Sequence, residues 1–195
     1  MTDHTHDTAE RPATAFIGHR ILASGPVPHV ALKVKAAMET SPDEAVLVFD
    51  DATGKVIDLD LRGDAGDIIA RLTAAETPKP AGRGRPKLGV VAREVTLLPR
   101  HWDWLAAQPG GASQALRRLI DRARSDDAGQ TGRKARQEAA YRFMSAMAGD
   151  LPGFEEASRA LFAGDAASLM QKMKDWPPGI RGYALRLAGM GAGAD

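Results

Sequence analysis

Residues 14–75 have hydrophobic positions at two spacings, one typical of strands and the other typical of helices. Residues 14–23 form an apolar strand segment with a turn at its centre, and residues 45–49 form a shorter strand. Between them, apolar residues recur at three- and four-residue intervals and predict a helix. Residues 55–61 alternate as a further strand, and Asp64 begins a short amphipathic helix. The pattern therefore predicts a small α/β domain.

Residues 89–125 predict a strand followed by two helices. The strand covers residues 90–98, and the proline that follows it is typical of a first helical position. A first helix over residues 100–108 ends at a Pro-Gly-Gly sequence. A second, amphipathic helix over residues 113–125 begins with Ser113 as its N-cap. This order of elements predicts a strand-helix-helix module.

The last third of the chain has helical periodicity. Its proline and glycine breaks predict four helices near residues 131–148, 153–163, 166–175 and 178–188. The fold class predicted for the whole chain is α+β. The predicted organisation is a disordered tail over residues 1–13, the small α/β domain over 14–75, a basic Pro/Gly linker over 76–88, the strand-helix-helix module over 89–125 and a helical C-terminal region over 126–189.

Composition excludes several classes of protein. The 195 residues include no cysteine, which excludes disulfide frameworks, thiolate metal sites and cysteine nucleophiles. No apolar run reaches the roughly 20 residues of a membrane span, and the polar N-terminus has no signal-peptide core. We therefore expect a cytoplasmic protein without a membrane contact. No metalloprotease, serine-hydrolase or P-loop motif occurs, so we expect no enzyme activity, no cofactor and no metal site.

Two groups of side chains have a structural interpretation. The acidic residues around the predicted hairpin are interpreted as a solvated edge that discourages strand aggregation: Asp50, Asp51, Asp58 and Asp60. The aromatic residues of the predicted C-terminal helices are interpreted as core: Tyr141, Phe143, Phe154, Phe162 and Trp176.

The net charge is only +1, but the charged residues are unevenly distributed. Residues 1–75 have 7 Lys/Arg and 12 Asp/Glu, residues 76–142 have 14 and 7, and residues 143–195 have 5 and 6. The middle segment therefore has a net charge of +7. This excess indicates either a surface that binds a polyanion or solvated helix faces that are rich in arginine.

The sequence Arg-Gly-Arg-Pro-Lys at residues 83–87 resembles the core of an AT-hook. In such a core Gly84 lets the backbone lie deep in a narrow minor groove, and the side chains of Arg83 and Arg85 run along the groove floor. The resemblance implies that these residues and Lys87 bind A·T-rich DNA. The alternative interpretation is a Pro/Gly linker that makes no groove contact.

Residues 90–124 resemble a ribbon-helix-helix module. In that family two chains pair their strands into a ribbon that enters the major groove, and amides at the start of the second helix bind a phosphate. The resemblance implies that Arg93 lies in the ribbon and that Ala112 and Ser113 supply the phosphate contact. It also implies a homodimer.

The predicted strand departs from the ribbon-helix-helix pattern, because that pattern directs two aliphatic residues toward DNA and Glu94 toward the core. A helix-turn-helix resemblance avoids this difficulty. It places Gln114, Arg117 and Arg118 near the start of the second helix, where they can contact DNA. The remaining interpretation is a plain helical hairpin whose arginines only solvate it.

Three longer stretches resemble a bacterial family. They are GRPKLGVVAREVTLLPRHWDWLAAQPGGASQALRRLIDRAR, the N-terminal TAFIGHRILASGP and the C-terminal KDWPPGIRGYALRLA. The family is the domain of unknown function 2239, and the resemblance covers residues 14–188. It implies a bacterial cytoplasmic protein but no activity, ligand or catalytic residue, so function must be argued from the site.

We therefore predict a DNA-binding protein, a bacterial transcriptional or nucleoid-associated regulator that forms a homodimer. The predicted DNA-binding residues are Arg83, Gly84, Arg85, Lys87, Arg93, Ser113, Gln114, Arg117, Arg118 and Arg122. The alternative is a protein-interaction or ligand-sensing module that does not bind nucleic acid. In that case the arginines would pair with acidic residues of the N-terminal third, such as Asp50, Asp58 or Asp60.

Overall fold

The computed structural model describes residues 11–74 and 94–191. The chain divides into two compact units: unit 1 comprises the residues up to Thr77 and those from Gly132 onward, and unit 2 comprises Pro78–Thr131. Unit 1 combines an antiparallel sheet with helices, which confirms the α+β fold class. The domain boundaries predicted from the sequence differ from those of the two units, because hydrophobic periodicity does not show which segments share a core. The predicted linker and most of the predicted tail lie outside the described residues.

The sheet of unit 1 has three antiparallel strands in the order β2-β1-β3. Strand β1 is Pro12–Ile17, β2 is Arg20–Pro26 and β3 is Val46–Asp50. The turn between β1 and β2 uses Gly18, whose φ of +54° favours glycine. The first two predicted strand segments and the turn between β1 and β2 are therefore confirmed, although β1 begins within the predicted tail.

The predicted strand over residues 55–61 is wrong. Val56 forms an isolated bridge with β3, and the segment does not continue as a strand. The adjacent apolar residues Val56 and Ile57 cannot both lie on one face of a strand. Farther along, Arg71 donates a hydrogen bond of 2.6 Å to the backbone carbonyl of Asp60, which occupies an acceptor that a sheet ladder would use.

The described residues form eight helices: α1 Val27–Thr40, α2 Ala65–Ala74, α3 Pro99–Ala106, α4 Gly111–Asp126, α5 Gln130–Ala148, α6 Phe154–Ala163, α7 Ala166–Lys172 and α8 Pro178–Ala188. Helices α5 to α8 confirm the four predicted C-terminal helices, although α7 ends earlier than predicted. Prolines lie in the first turns of α1, α3 and α8, where a backbone N–H is not required. The starts of these three helices can therefore be predicted from the sequence.

Two hydrophobic cores lie on opposite faces of the sheet of unit 1. In the first, Phe16 of β1 and Phe49 of β3 pack against Phe143 of α5 and Tyr183 of α8, with ring centroids 4.5–6.4 Å apart. In the second, small and β-branched residues of the strands pack against α1. The N-terminal strands and the C-terminal helices therefore share the first core, whereas the second core is built from the N-terminal segment alone.

The aromatic residues of the C-terminal helices fall into three groups, of which Phe154 forms the intermediate one, partly buried against the first core. Phe143 and Trp176 are buried as predicted, and the indole N–H of Trp176 donates to the carbonyl of Pro152 at 2.9 Å. Tyr141 and Phe162 are 38% and 51% exposed, so their assignment to the core is wrong. Their rings contact each other at the surface of unit 1, with centroids 5.3 Å apart.

Unit 2 is described over residues 94–131 and consists mainly of α3 packed against α4. Leu105 of α3 and Ala115 of α4 are buried. Residues 94–98 do not form a strand, so this part of the predicted strand is wrong, and residues 90–93 lie outside the described residues. A strand needs a hydrogen-bonded neighbour, and residues 94–98 pair with no described segment.

Helix α4 begins at Gly111, before the predicted N-cap Ser113. Gly110 is the N-cap, and the φ angles of Gly110 and Gly111 are +81° and +73°. Both values favour glycine over residues with a side chain. The predicted cap is therefore wrong, because these two left-handed glycines set the start of α4 before Ser113.

Candidate nucleic-acid interface

Half of the predicted DNA-binding residues cannot be placed. The AT-hook-like residues and the predicted ribbon arginine lie outside the described residues: Arg83, Gly84, Arg85, Lys87 and Arg93. The other half lies on α4 of unit 2: Ser113, Gln114, Arg117, Arg118 and Arg122. The interface is therefore built from α4.

Helix α4 has one polar face and one apolar face. The polar face carries residues at i, i+3, i+4, i+7 and i+8 positions, which lie along one side of a helix. These residues are Gln114, Arg117, Arg118, Asp121 and Arg122, all of them exposed, and we call them the arginine face. The opposite side carries the apolar residues of the helix, which are Leu116, Leu119, Ile120 and Ala123.

The arginines of this face are weakly engaged within the protein. Arg122 forms a salt bridge with Asp126 at 3.9 Å, and both side chains are more than 70% exposed. Such exposed pairs contribute little, because solvent screens them and both side chains lose freedom on pairing. Arg117 and Arg118 form no salt bridge with any described residue. The three guanidinium groups therefore remain available to a partner.

At the start of α4 the expected N-cap is wrong, and the expected phosphate contact of Ala112 and Ser113 stays a prediction. Ser113 does not cap the helix, but its amide and that of Ala112 belong to the first turn, where backbone N–H groups have no intrahelical acceptor. Gln114 folds its carboxamide back over Gly110, where a β-carbon would collide with it. Gln114 therefore points toward the helix start rather than outward.

The positive charge of residues 76–142 divides into three parts. Five Lys/Arg and five Asp/Glu balance one another in residues 94–131. Residues 76–93, outside the described residues, have five Lys/Arg against one Asp/Glu. Residues 132–142 of α5 have four against one, and Arg142 of this group bonds to Glu138 and to the carbonyl of Thr53. The arginine face is thus a local cluster within a balanced described segment, while unit 2 as a whole, residues 78–131, has ten Lys/Arg against five Asp/Glu.

The acidic residues that could have neutralised the arginines have partners inside unit 1. Asp60 binds Arg62 and Arg71, and these contacts hold the pKa of the Asp60 carboxyl below its ordinary value. Asp50 is buried and binds Arg11, with the Nε atom 3.1 Å from the carboxylate. Asp58, the third acidic residue named for such pairing, is exposed.

Asp50 also corrects the interpretation of the hairpin acids as a solvated edge. Its carboxylate accepts hydrogen bonds from the amides of Ala52 and Thr53 and from the Thr53 hydroxyl, at 2.7–3.0 Å. Burial alone would raise the pKa of Asp50, but the hydrogen bonds from Arg11 and Thr53 and the charge of Arg11 lower it overall. Asp50 therefore organises the turn after β3.

A second polar cluster in unit 1 escaped the sequence analysis. Asp51 accepts hydrogen bonds from the hydroxyls of Thr14 and Tyr183 at 2.9 and 2.8 Å and from Arg186 at 3.3 Å. Arg186 also donates to Thr14 at 2.8 Å, and Ser24 bonds to Thr14 at 3.0 Å. Burial and the adjacent Asp51 charge raise the pKa of Tyr183. The residues lie far apart in sequence, so no local pattern could have revealed the cluster.

This cluster joins β1 and the turn after β3 to α8. Its hydroxyls and carboxylate hydrogen-bond to one another. These groups therefore stabilise the fold and are not free to bind a ligand. A tyrosine hydroxyl whose pKa lies far above its usual range is not suited to proton transfer near neutral pH. We interpret the cluster as structural.

An open cleft of about 450 Å³ lies elsewhere in unit 1 and is lined in part by His19, Ser145 and Asp150. These three side chains do not hydrogen-bond to one another, and all three are exposed. A nucleophile, a base and an orienting acid would need mutual contact. Over residues 11–74 and 94–191, no group of three or more acidic or histidine side chains is arranged to hold a metal ion. None of the helices seen there is long and apolar enough to cross a membrane.

Fold and interface define an α+β protein in which a two-helix unit with an exposed arginine face is inserted into a sheet-and-helix unit. The model of the family described as "Uncharacterized protein conserved in bacteria (DUF2239)" matches residues 12–188, and the chain belongs to this family. This confirms the family resemblance seen in the sequence. No curated protein and no solved structure matches the chain.

Proposed function

We propose that this protein binds duplex DNA through the arginine face of α4 and acts as a bacterial transcriptional or nucleoid-associated regulator. The observation that supports the proposal is the exposure of Arg117, Arg118 and Arg122 on one side of a helix, with one weak ion pair among them. An α-helix fits the major groove, where arginine can bind a guanine edge with two hydrogen bonds. The same side chains can also neutralise phosphates.

Two further features would assist this binding mode. Unpaired amides in the first turn of α4 suit a phosphate oxygen, because the helix dipole is positive at that end. Arg83 and Arg85 of the preceding segment would add minor-groove contacts, as the AT-hook resemblance implies. Asp121 lies within the arginine face and would repel phosphate. It therefore lowers the net positive charge of this face.

The proposal is tested by measuring duplex affinity after removal of the three arginines. The R117A/R118A/R122A variant should bind at least about tenfold more weakly, since one lost base contact alone costs about 1–3 kcal/mol. The matched control is R20A/K33A/R159A, which removes the same charge from exposed positions of unit 1. Mobility shift with random and A·T-rich duplexes measures both variants beside the parent.

The control should retain the parent affinity. Circular dichroism must show equal helix content in all three proteins, because alanine favours helix at each α4 position. An equal loss of affinity in both variants would mean that only net charge matters. Unchanged affinity in the α4 variant would remove the arginine face from DNA binding.

A protein-interaction role is the second candidate, and a specific observation favours it. Residues 94–131 are electrically balanced, whereas nucleic-acid-binding surfaces usually carry a clear positive excess. The same segment exposes the large apolar side chains of Trp102, Trp104, Leu119 and Ile120 at 43–54%. Absence of a shift with every duplex would favour this candidate over DNA binding.

A further inference from the structure

The open cleft of about 450 Å³ in unit 1 lies between the turn that joins β1 to β2, the start of β3 and the end of α5. Gly18 and His19 line it from the turn, and Ser145 and Asp150 line it from the end of α5. Sites for small molecules have volumes of about 300–1,000 Å³. The cleft therefore has room for a small organic ligand.

The walls of this cleft are held in place by the fold of unit 1. The amide of Gly18 donates a hydrogen bond of 3.1 Å to the carbonyl of Ala45, which fixes the turn against the start of β3. The side chains of Leu47, Met147 and Leu151 line the cleft, are partly buried and pack against the first core. The cleft therefore has a pre-formed wall that is apolar in part, as small-molecule sites usually have.

The side of the cleft formed by the end of α5 is negatively charged. Asp150 follows the helix, is exposed and forms no salt bridge with any residue that the structure describes. The C-terminal end of a helix has a partial negative charge, and the last turn of α5 has no basic residue to offset it. No lysine or arginine is among the described residues that line the cleft, and the Arg20 side chain lies 4.0 Å from that of Glu44. The cleft therefore favours a cation over an anion.

We propose that this cleft binds a small organic ammonium ion, a primary amine on a short apolar chain. An ammonium group has N–H donors and no acceptor, and the Asp150 carboxylate, the Ser145 hydroxyl and the neutral imidazole of His19 can each accept one hydrogen bond from it. The apolar chain of the ligand lies against Leu47 and Met147. A divalent metal ion fits less well, because Asp150 is the single carboxylate among the described residues of the lining.

This binding goes beyond the proposed DNA contact. The cleft is lined by residues of unit 1, whereas the arginine face belongs to α4 of unit 2. The titrations below use no nucleic acid. Failure of the ammonium site therefore leaves the DNA proposal untouched, and loss of DNA binding leaves the ammonium site untouched.

The first test titrates the full chain with n-butylammonium, n-butanol and butyrate, and follows the backbone amide signals by two-dimensional NMR. n-Butylammonium should give saturable shifts that centre on the amides of Gly18, Gly149 and Leu151, which line the cleft. n-Butanol and butyrate should bind at least about threefold more weakly, since each lacks the charge that Asp150 attracts. Equal affinity for any two of the three probes that includes n-butylammonium would overturn the proposal. So would an absence of shifts at about 50 mM n-butylammonium, which saturates a site of millimolar affinity.

The second test changes the cleft itself. Asp150→Asn removes the charge at nearly constant size and should weaken n-butylammonium binding at least about threefold. The matched control is Asp58→Asn, which removes the same charge from another exposed position of unit 1 and should keep the parent affinity. Ser145→Phe places a ring in the cleft at an exposed position of α5 and should abolish the saturable shifts. The amide spectra also show that each variant is folded. Parent affinity in either cleft variant, or an equal loss in Asp150→Asn and Asp58→Asn, would overturn the proposal.

Discussion

A single residue constrains the fold most clearly at a glycine where any larger side chain would collide with neighbouring backbone. Gly54, after β3, has φ of +65°, and a β-carbon there would collide with the carbonyl of Ala139 in α5. The sequence indicates a turn at this glycine, but it cannot reveal the helix that packs against it, because Ala139 lies 85 residues away. The local sequence pattern thus predicts the turn at Gly54 but does not predict the contact of this turn with α5.

Gly54→Ala should lower the free energy of unfolding by about 2–4 kcal/mol, because it combines a left-handed backbone with overpacking. The control is Gly182→Ala, in an exposed position of α8 with open space around it. Alanine favours helix over glycine by about 0.8–1 kcal/mol, so the control should be slightly more stable. Urea denaturation measures both variants. Equal stability of the two would contradict the close approach of α5 to this turn.

Asp50 should make the stability of unit 1 depend on acid pH. Its folded-state pKa is lowered, so its contribution is present above the ordinary carboxyl value of 3.8 and is lost as the pH falls through the folded-state pKa. Asp50→Asn should be less stable at pH 7 by about 1–3 kcal/mol and should lose less stability below pH 4. Thermal unfolding from pH 3 to pH 7 checks this, with exposed Asp58→Asn as the control. Parallel pH profiles for parent and Asp50→Asn would count against the buried ion pair.

Helices are the elements that the sequence predicts best, because prolines and glycines mark their ends. Helices α5 to α8 follow the predicted order, and Pro99 and Pro178 stand at first turns. The strands are less predictable, since pairing decides them. Residues 55–61 have strand-like composition but make only one bridge to β3, and residues 94–98 pair with no described segment. The start of α4 was missed because Ser113 is a good cap by composition, whereas two left-handed glycines set the helix start earlier.

The N-cap of α7 is a direct test at this scale. The carboxylate of Asp165 accepts a hydrogen bond from the amide of Ser168 at 3.0 Å, and this bond lowers the pKa of Asp165. Asp165→Ala should lower the stability, because the amide of Ser168 loses its N-cap acceptor. Asp175→Ala, an exposed acid outside the helices, should stay within about 0.5 kcal/mol of the parent. Chemical denaturation measures both, and equal effects would contradict the capping role.

At the scale of the whole molecule, unit 1 is discontinuous in sequence. Its strands and α1 precede unit 2, and the helices that cover the other face of the sheet follow it, so a separate N-terminal domain would leave that face of the sheet uncovered. The sequence could not show this, because the contacts of Phe16 and Phe49 with Phe143 and Tyr183 join positions more than 90 residues apart. The candidate interface was predictable in part, since α4 displays its arginines by helical spacing alone.

Phe143→Ala tests whether the two segments of unit 1 unfold together. The change should cost about 3–5 kcal/mol, because it empties a site between the sheet and α5. In a W102F/W104F background, Trp176 becomes the sole tryptophan and reports on unit 1. The midpoints of the unfolding transitions followed by Trp176 fluorescence and by far-ultraviolet circular dichroism, which includes unit 1, should move together to lower denaturant concentration. A circular-dichroism signal of the sheet that persists at denaturant concentrations above the Trp176 transition would contradict the shared core.

The most direct test of the central claim is the salt dependence of duplex affinity, measured by fluorescence anisotropy between 50 and 200 mM salt. Each phosphate contact contributes about 0.9 to the slope of log affinity against log salt. If all three arginines contact phosphates, R117A/R118A/R122A should flatten the parent slope by about 2.7, whereas R20A/K33A/R159A should leave it unchanged. Parallel slopes for the parent and the α4 variant, at equal affinity, would contradict DNA binding by the arginine face.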